Sequence, residues 1–305
     1  MASTTDELRL VLPRRSVRQH LVDVWRYREL WQQLVRKELH VRYQKSVIGF
    51  AWSMLNPLFL LVVYSVVFGF LGQAFEWFAI WLLAGILMWN FFSTSLSTGT
   101  QAITANGYLV GKVNFPREIL PLASVGAAFV HLMFSSGLMV IVLAVTRFHV
   151  DWSYLWLTLP AIITLIVMAS AFAIFLSAIN VYARDTTHLL ELTLLAWFWL
   201  TPIIWRFQFV ADKLKDHGDY PYWALLNPVT PLLIAVQRGV YGEATLVKNG
   251  KVVLDGNGKP MHLLPDMSQW WYLRNIGVVF VIASVLLVVA IKIFDRAEGN
   301  FAEVM

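Results

Sequence analysis

Six long apolar runs constrain the fold of this chain more than any other feature. A helix needs about 20 residues to cross the hydrocarbon core of a membrane. The runs that reach or approach this length cover residues 50–72, 78–99, 119–145, 154–181, 189–205 and 272–293. Only 14% of the residues are charged, against about 25% in soluble domains. The sequence therefore predicts an all-α integral membrane protein with six transmembrane helices in each protomer.

Lysine and arginine are distributed unevenly around these runs and predict the orientation of the chain. Ten of them precede the first run, within residues 1–49, whereas the loops after the first and third runs contain only Arg147. The other basic residues expected on the same side as 1–49 are Lys112, Arg117, Arg184, Lys292 and Arg296. Basic residues accumulate in short cytoplasmic loops. We therefore expect a multi-pass membrane domain, residues 50–293, between cytoplasmic tails at 1–49 and 294–305.

The segment before the first run has the period of an amphipathic helix. Its apolar residues recur at three- and four-residue spacing and are Val24, Tyr27, Trp31, Leu34 and Val35. This pattern predicts a helix that lies in the cytoplasmic interface, with its basic residues near lipid phosphates. Two interpretations remain open: an anchor that only orients the protein, or a collar that transmits motion from a cytoplasmic partner.

The cytoplasmic loop 100–118 is unusually apolar for a solvated segment. Its apolar side chains include Leu109, Val110, Val113 and Phe115. A docking surface for a soluble partner would explain them. Packing against the ends of the protein's own helices explains them equally well, so the sequence leaves both interpretations open.

Residues 206–271 are expected outside the cytoplasm, and the stretch 222–242 within them is apolar but broken. The interrupting residues are Pro228, Pro231, Gln237 and Arg238. As a seventh span this stretch would hold an arginine at membrane depth, which is costly. Irregular backbone at that depth is tolerated only where protein or a water-filled cavity lines it. The sequence therefore predicts a re-entrant helical hairpin on the periplasmic side.

Turn and breaker residues predict two further boundaries. Asn249-Gly250 and Asp255-Gly256-Asn257-Gly258 interrupt β-type residues within 245–264, and such dipeptides are strong hairpin signals. We expect a small exposed β-hairpin there. Thr201-Pro202 near the end of the fifth run predicts a kink or an early stop of that helix, because proline lacks a backbone donor.

No motif for catalysis or for energy conversion is present. The sequence lacks a His-Glu-x-x-His zinc motif, a Gly-x-Ser-x-Gly elbow and a Gly-x-x-x-x-Gly-Lys-[Ser/Thr] phosphate loop. It also lacks cysteine, which excludes thiolate metal sites and disulfides. We expect no catalytic residue and no metal or cofactor on this chain. If it drives transport, another chain supplies the energy.

Four stretches of sequence, in this order, resemble the permease subunit of bacterial polysaccharide ABC exporters. They are residues 36–57 (RKELHVRYQKSVIGFAWSMLNP), 109–121 (LVGKVNFPREILP), 184–205 (RDTTHLLELTLLAWFWLTPIIW) and 226–231 (LNPVTP). The resemblance extends from residue 25 to the end of the chain. This class of permease moves O-antigen, teichoic acid, capsule and galactan.

The resemblance implies an assembly that composition does not reveal. Two copies of the permease would pair with two copies of a cytoplasmic ABC ATPase, which would bind ATP and Mg²⁺. The assembly would lie in the bacterial plasma membrane and export a lipid-linked glycan, either O-antigen-like or a mycobacterial-type galactan. No nucleic-acid partner is implied.

The resemblance also implies roles for particular residues. Those expected to couple the permease to the ATPase are Asn106, Leu109, Lys112, Phe115, Pro116, Arg117 and Glu118. Those expected at a periplasmic gate are Asn227, Pro228, Pro231, Gln237 and Arg238. Aromatic side chains that would stack on sugars along the path, unless they only pack in the membrane, are Trp89, Trp197, Phe198 and Trp199.

Three other functions are compatible with parts of the pattern. An ABC permease for a drug or small lipid would share the fold and the ATPase. A membrane-embedded glycosyl- or acyltransferase would need acidic or histidine residues clustered at one interface. A passive channel would need no docking loop.

Overall fold

The computed structural model describes residues 17–44, 49–71, 75, 77–113, 115–148, 150, 152–216, 223–242, 245–248, 251–254, 258, 260–299 and 301. Its α-helices are α1 (Val17–Arg26), α2 (Arg28–Tyr43), α3 (Trp52–Phe70), α4 (Phe78–Ala105), α5 (Gly107–Lys112), α6 (Ile119–Thr146), α7 (Trp152–Leu155), α8 (Thr158–Tyr182), α9 (Thr186–Leu200), α10 (Phe207–Asp216), α11 (Val229–Tyr241) and α12 (Gln269–Glu298). Two 3₁₀ turns, Gly49–Ala51 and Trp223–Leu226, precede α3 and α11. Residues 1–16, 45–48 and 302–305 of the two predicted tails lie outside the described residues.

Four of the described helical segments are long and apolar enough to cross a membrane. They are Phe78–Ala105, Ile119–Thr146, Trp152–Tyr182 and Gln269–Glu298. The two remaining predicted spans form shorter helices: α3 has an apolar part of Met54–Phe70, and α9 has 15 residues. α9 ends at Leu200, directly before Thr201-Pro202, which confirms the predicted early stop. The chain is a mostly helical, multi-pass membrane protein.

The core is built around α4, which packs against α6 and α8, while α8 packs against α12. Small residues allow these helices to approach closely, since membrane helices associate through backbone-close packing. A Cβ on Gly99 of α4 would lie 2.6 Å from the Cβ of Ala173 on α8. Every residue of α11 is buried, with α4, α7, α8 and α12 around it.

The predicted amphipathic segment forms two helices, α1 with Val24 and α2 with Trp31, Leu34 and Val35, which meet at Tyr27. α2 packs along α6. Leu34 and Val35 are buried, and the indole Nε1 of Trp31 donates a hydrogen bond to the carbonyl oxygen of Leu122 at 3.1 Å. Gly126 leaves room for this contact, because a Cβ there would lie 2.5 Å from the Trp31 ring. The apolar face of α2 therefore lies on protein rather than on lipid at these positions.

The segment 245–264 contains the predicted antiparallel β-hairpin. Its strands are β1 (Val247–Lys248) and β2 (Lys251–Val252), in the register Val247 to Val252. Isolated bridges between Thr245 and His262 and between Leu254 and Pro260 extend the pairing. The turn dipeptide Asn249-Gly250 and residues 255–257 lie outside the described residues.

Candidate coupling site and gate

The loop between α4 and α6 folds into the short helix α5, which is fixed at its start. Asn106 ends α4, and its Nδ2 donates to the carbonyl oxygen of Ala102 at 2.8 Å. Lys37 Nζ on α2 donates to Asn106 Oδ1 at 2.6 Å. One amide side chain therefore connects the end of α4, the start of α5 and the amphipathic helix.

Fewer apolar side chains of the loop 100–118 are exposed than its sequence suggested. Val110 and Phe115 are buried, so these two side chains pack against the protein's own helices, as the packing interpretation predicts. Leu109 is half-buried, and Val113 is 52% exposed. Phe115 fills a cluster that also contains residues of α2, α6 and α12.

Tyr108 is a surface residue of α5 that the sequence analysis missed. Its side chain is 73% exposed, and the Lys112 ammonium lies 4.2 Å from the centre of its ring. Side chains with i, i+4 spacing lie on one face of a helix. The sequence would therefore have predicted this pair if α5 had been recognised as a helix. Tyr108, Lys112 and Val113 form the exposed face of α5.

Pro116, Arg117 and Glu118 lead into α6, and their side chains contact other parts of this chain. Pro116 and Glu118 are buried. Arg117 Nη1 donates to the carbonyl oxygen of Glu298 at 2.9 Å, and its Nε lies 3.5 Å from Glu298 Oε1. Its guanidinium carbon also lies 5.9 Å from the centre of the Phe301 ring. Arg117 therefore holds the loop between α5 and α6 against the end of α12.

At the other predicted site, Asn227 joins the end of α9 to the start of α11. Its Oδ1 accepts a hydrogen bond from Trp197 Nε1 at 2.9 Å and one from the backbone N–H of Val229 at 3.1 Å. Its Nδ2 donates to Thr201 Oγ1 at 2.9 Å. Pro228 follows in a half-buried position and Pro231 is buried in the first turn of α11.

Arg238 and Gln237 place two polar side chains inside the packed helices. Arg238 is 8% exposed; its Nη1 donates to the carbonyl oxygen of Gly242 at 2.8 Å, and its guanidinium lies 4.4 Å from the centre of the Tyr154 ring. Asp266 Oδ1 lies 4.0 Å from Nη2. Gln237 is fully buried against Gly85 of α4. The cation is therefore balanced by a ring face, a carbonyl and a nearby carboxylate.

The four predicted path aromatics fall into different environments. Trp89 is buried, and its ring meets Phe198 edge-on at 5.7 Å. Trp197 is half-buried and packs edge-on against Phe92 at 5.2 Å. Trp199 is exposed. Three of the four thus belong to the packed aromatic cluster between α4 and α9.

No group of three or more histidine, cysteine, aspartate or glutamate residues that could hold a metal ion occurs in the described part of the chain.

The chain matches known proteins over most of its length. It fits the family model described as ABC-2 type transporter over residues 29–240. It is 30% identical over 284 residues to the O-antigen export system permease protein RfbA of Myxococcus xanthus, which covers 92% of this chain and 97% of that protein. It is 23% identical over 274 residues to a protein of the same name from Klebsiella pneumoniae, covering 89% and 93%. This chain belongs to the ABC-2 type transporter family.

Proposed function

We propose that this chain is the permease half of an ATP-driven exporter that moves a lipid-linked polysaccharide out of the cytoplasm. The observation that carries the proposal is the near full-length similarity to a protein named an O-antigen export system permease. The substrate is an O-antigen-like glycan or a galactan. The exposed helix α5, at the junction of α4 and α6, is the surface that the proposal requires for a separate motor.

In this proposal the chain crosses the bacterial plasma membrane six times, with both termini in the cytoplasm. α3 and α9 supply the two spans that are shorter than the other four. The 3₁₀ turn Trp223–Leu226 and α11 form the re-entrant hairpin. Its support is that α11, with 13 residues, is only about 20 Å long. Asn227, two residues before α11, is hydrogen-bonded to the end of α9.

A homodimer of the permease binds two copies of a cytoplasmic ABC ATPase, which holds ATP and Mg²⁺. The exposed face of α5, Tyr108, Lys112 and Val113, contacts that ATPase. Leu109 contributes its exposed part. Five further residues contribute indirectly, because their contacts within this chain hold α5 in place. They are Asn106, Phe115, Pro116, Arg117 and Glu118.

The gate on the far side consists of the re-entrant hairpin and the residues that hold it. Asn227 ties the start of α11 to the end of α9, Gln237 packs against Gly85 of α4, and Arg238 lies on the Tyr154 ring of α7. Pro228 and Pro231 belong to the start of α11 and complete the gate. Trp197 belongs to this joint through its hydrogen bond to Asn227. Movement of α4 reaches the gate directly, because Gly85 of α4 lies against Gln237 and Ile203.

The test is complementation. A bacterial strain that lacks its own O-antigen permease and ATPase receives this chain together with the ABC ATPase that co-purifies with it, and surface glycan is measured. We expect surface glycan with the pair and none with either chain alone. A catalytically dead ATPase is the matched control. Co-purification of the pair without any surface glycan, across hosts with different glycans, would overturn polysaccharide export and leave the drug or small-lipid permease.

A further inference from the structure

One face of α4 differs from the rest of that helix in being polar wherever it is not buried. Between Asn90 and Thr104 the side chains that are not buried are Asn90, Ser93, Thr94, Ser97, Thr98, Gln101 and Thr104. Their spacing of three and four residues places them on one side of the helix. We call this set the polar stripe; it is about 21 Å long at 1.5 Å per residue.

The position of the polar stripe makes contact with lipid unfavourable. The first 20 residues of α4 from Phe78 suffice to cross the hydrocarbon core, and they include Asn90, Ser93, Thr94 and Ser97. Amide and hydroxyl groups facing lipid cost free energy, so such groups in spans face other protein or a water-filled cavity. The Nδ2 atom of Asn90 is itself buried and has no hydrogen-bond acceptor within the described structure, so the carbonyl oxygen of this amide is the part of Asn90 that can face a cavity.

The neighbouring helices leave this face of α4 accessible. α3 meets α4 near Phe68 and Phe78, whose rings lie 5.4 Å apart. At its other end Met54 of α3 reaches Gly137 of α6. α3 therefore crosses from α4 to α6 and diverges from the half of α4 that carries the stripe.

α9 runs antiparallel to α4 beside the polar stripe. Asn180 of α8 connects Thr104 at one end of α4 with Thr187 at the start of α9, and Phe198 near the end of α9 meets Trp89. Glu191 lies seven residues before Phe198, which places both on the same face of α9. A carboxylate therefore lies about 10 Å closer to the cytoplasmic end than the aromatic rings.

The stripe ends at a cluster of three rings. Phe198 stacks on Tyr64 of α3 at 6.3 Å and meets Trp89 of α4 edge-on at 5.7 Å. Trp89 directly precedes Asn90, the first residue of the stripe. Tyr64, Trp89 and Phe198 therefore close the groove between α3, α4 and α9 at the outer end of the stripe.

We propose that the polar stripe is the wall of the export path that contacts the glycan, with the Tyr64, Trp89 and Phe198 rings as its outer constriction. This rests on the proposed export function. The stripe contains amide and hydroxyl groups and no lysine or arginine, which suits a neutral, hydroxyl-rich chain rather than a polyanion. Thr98 Oγ1 donates to Thr94 O at 2.8 Å and Thr104 Oγ1 to Gln101 O at 3.0 Å. Thr98 Oγ1 keeps lone pairs that can accept from a sugar hydroxyl, and Thr104 Oγ1, which accepts from Asn180 Nδ2, keeps one.

The spacing of the stripe also suits movement of a long polymer. A path must bind its cargo well enough to admit it, yet weakly and at many sites so that the cargo leaves. Seven similar side chains along two adjacent columns offer such equivalent contacts. A single tight binding site would instead need several converging charged groups. Among the described residues, helical spacing brings one charged side chain, that of Glu191, to this groove.

The test uses single cysteines, for which the chain offers a clean background because it has no cysteine. The variants are Ser93→Cys and Ser97→Cys in the polar stripe. The matched control is Ser284→Cys on α12, whose hydroxyl also donates to its own helix, at Phe280 O, and whose exposed neighbours Val281, Ile282 and Val285 are apolar. Each variant is produced with its ATPase in the complementation host, and inside-out vesicles are treated with a water-soluble methanethiosulfonate reagent.

We expect the stripe cysteines to react roughly tenfold or more faster than the α12 control, because apolar surroundings raise the pKa of a thiol and only the thiolate reacts. Vesicles from cells that make the host's lipid-linked O-antigen should react more slowly at Ser93→Cys and Ser97→Cys than vesicles from cells whose glycan synthesis is blocked. Labelling should stop export.

Three results would overturn the inference. Slow labelling at the control's rate would place the stripe against lipid or protein. Fast labelling without protection by the glycan would make it a water-filled surface off the path. Spontaneous disulfide dimers of Ser93→Cys or Ser97→Cys that still export glycan would mean that a second copy covers the stripe away from the path. In each of these cases the chain without substitutions still exports glycan. If that chain exports no glycan in the same host, the proposed function itself is wrong.

Discussion

At the scale of single residues, Glu38 shows how α2 is held on α6. Its Oε1 accepts a hydrogen bond from Ser124 Oγ at 2.6 Å. Burial raises the pKa of this carboxyl above the usual value of 4.5, although the Ser124 hydrogen bond and the nearby Arg42 and Lys37 act in the opposite direction. Because the folded-state pKa is the higher one, ionisation of Glu38 costs stability, and its favourable contribution is lost as the pH rises through that pKa.

Glu38→Gln should therefore raise the melting temperature of the purified protein at neutral pH. Glutamine keeps an oxygen that accepts from Ser124 and removes the buried charge. The gain should shrink as the pH falls, and it should vanish below the usual glutamate value of 4.5. Melting curves across this range check it. Glu29→Gln, on the exposed side of the same helix, is the control and should show no such pH dependence. A lower melting temperature of Glu38→Gln at every pH would contradict the assignment.

At the scale of elements, the sequence predicted the helices well and their surfaces less well. Apolar length and proline sites located α4, α6, α8, α12 and the end of α9, because spanning length and backbone donors are local properties. The burial of Val110 and Phe115 was not predictable, since it depends on where α2 and α12 pack around the loop. For the same reason the sequence could not predict the partner of Arg117, because Glu298 is 181 residues away in the chain.

Two substitutions, one in α5 and one just after it, give a prediction that separates binding of the ATPase from stability of the permease. Tyr108→Ala removes an exposed ring of α5 and should weaken binding to the ATPase while leaving the melting temperature of the permease unchanged. Phe115→Ala empties a buried position and should cost about 3–5 kcal/mol of stability. Pull-down of the ATPase and thermal melting of the permease alone check both. Trp270→Ala, which removes another exposed ring at the start of α12, is the control for loss of surface area. A Tyr108→Ala permease that binds the ATPase normally would remove α5 from the interface.

At the scale of the whole molecule, α4 connects the two predicted sites. It ends at Asn106, where α5 and α2 attach, and about 31 Å away along its axis Gly85 lies against α11. A Cβ on Gly85 would be 3.1 Å from Gln237 Nε2 and 3.3 Å from Ile203 Cγ2. The sequence could not predict this contact, because the closeness of α4 and α11 depends on the buried position of α11.

Gly85→Val should therefore uncouple the gate from the motor. Added side-chain atoms at this tight contact cost about 1–3 kcal/mol and displace Gln237, but α5 at the opposite end of α4 is untouched. We expect normal binding of the ATPase, near-normal ATP hydrolysis by the assembled complex, and a loss of most surface glycan in the complementation host. Gly277→Val on α12 is the matched control, since no atom lies within 4 Å of a Cβ there. Equal loss of ATPase binding and export in Gly85→Val would mean that the variant fails to fold, and full export would mean that α11 does not move against α4 during transport.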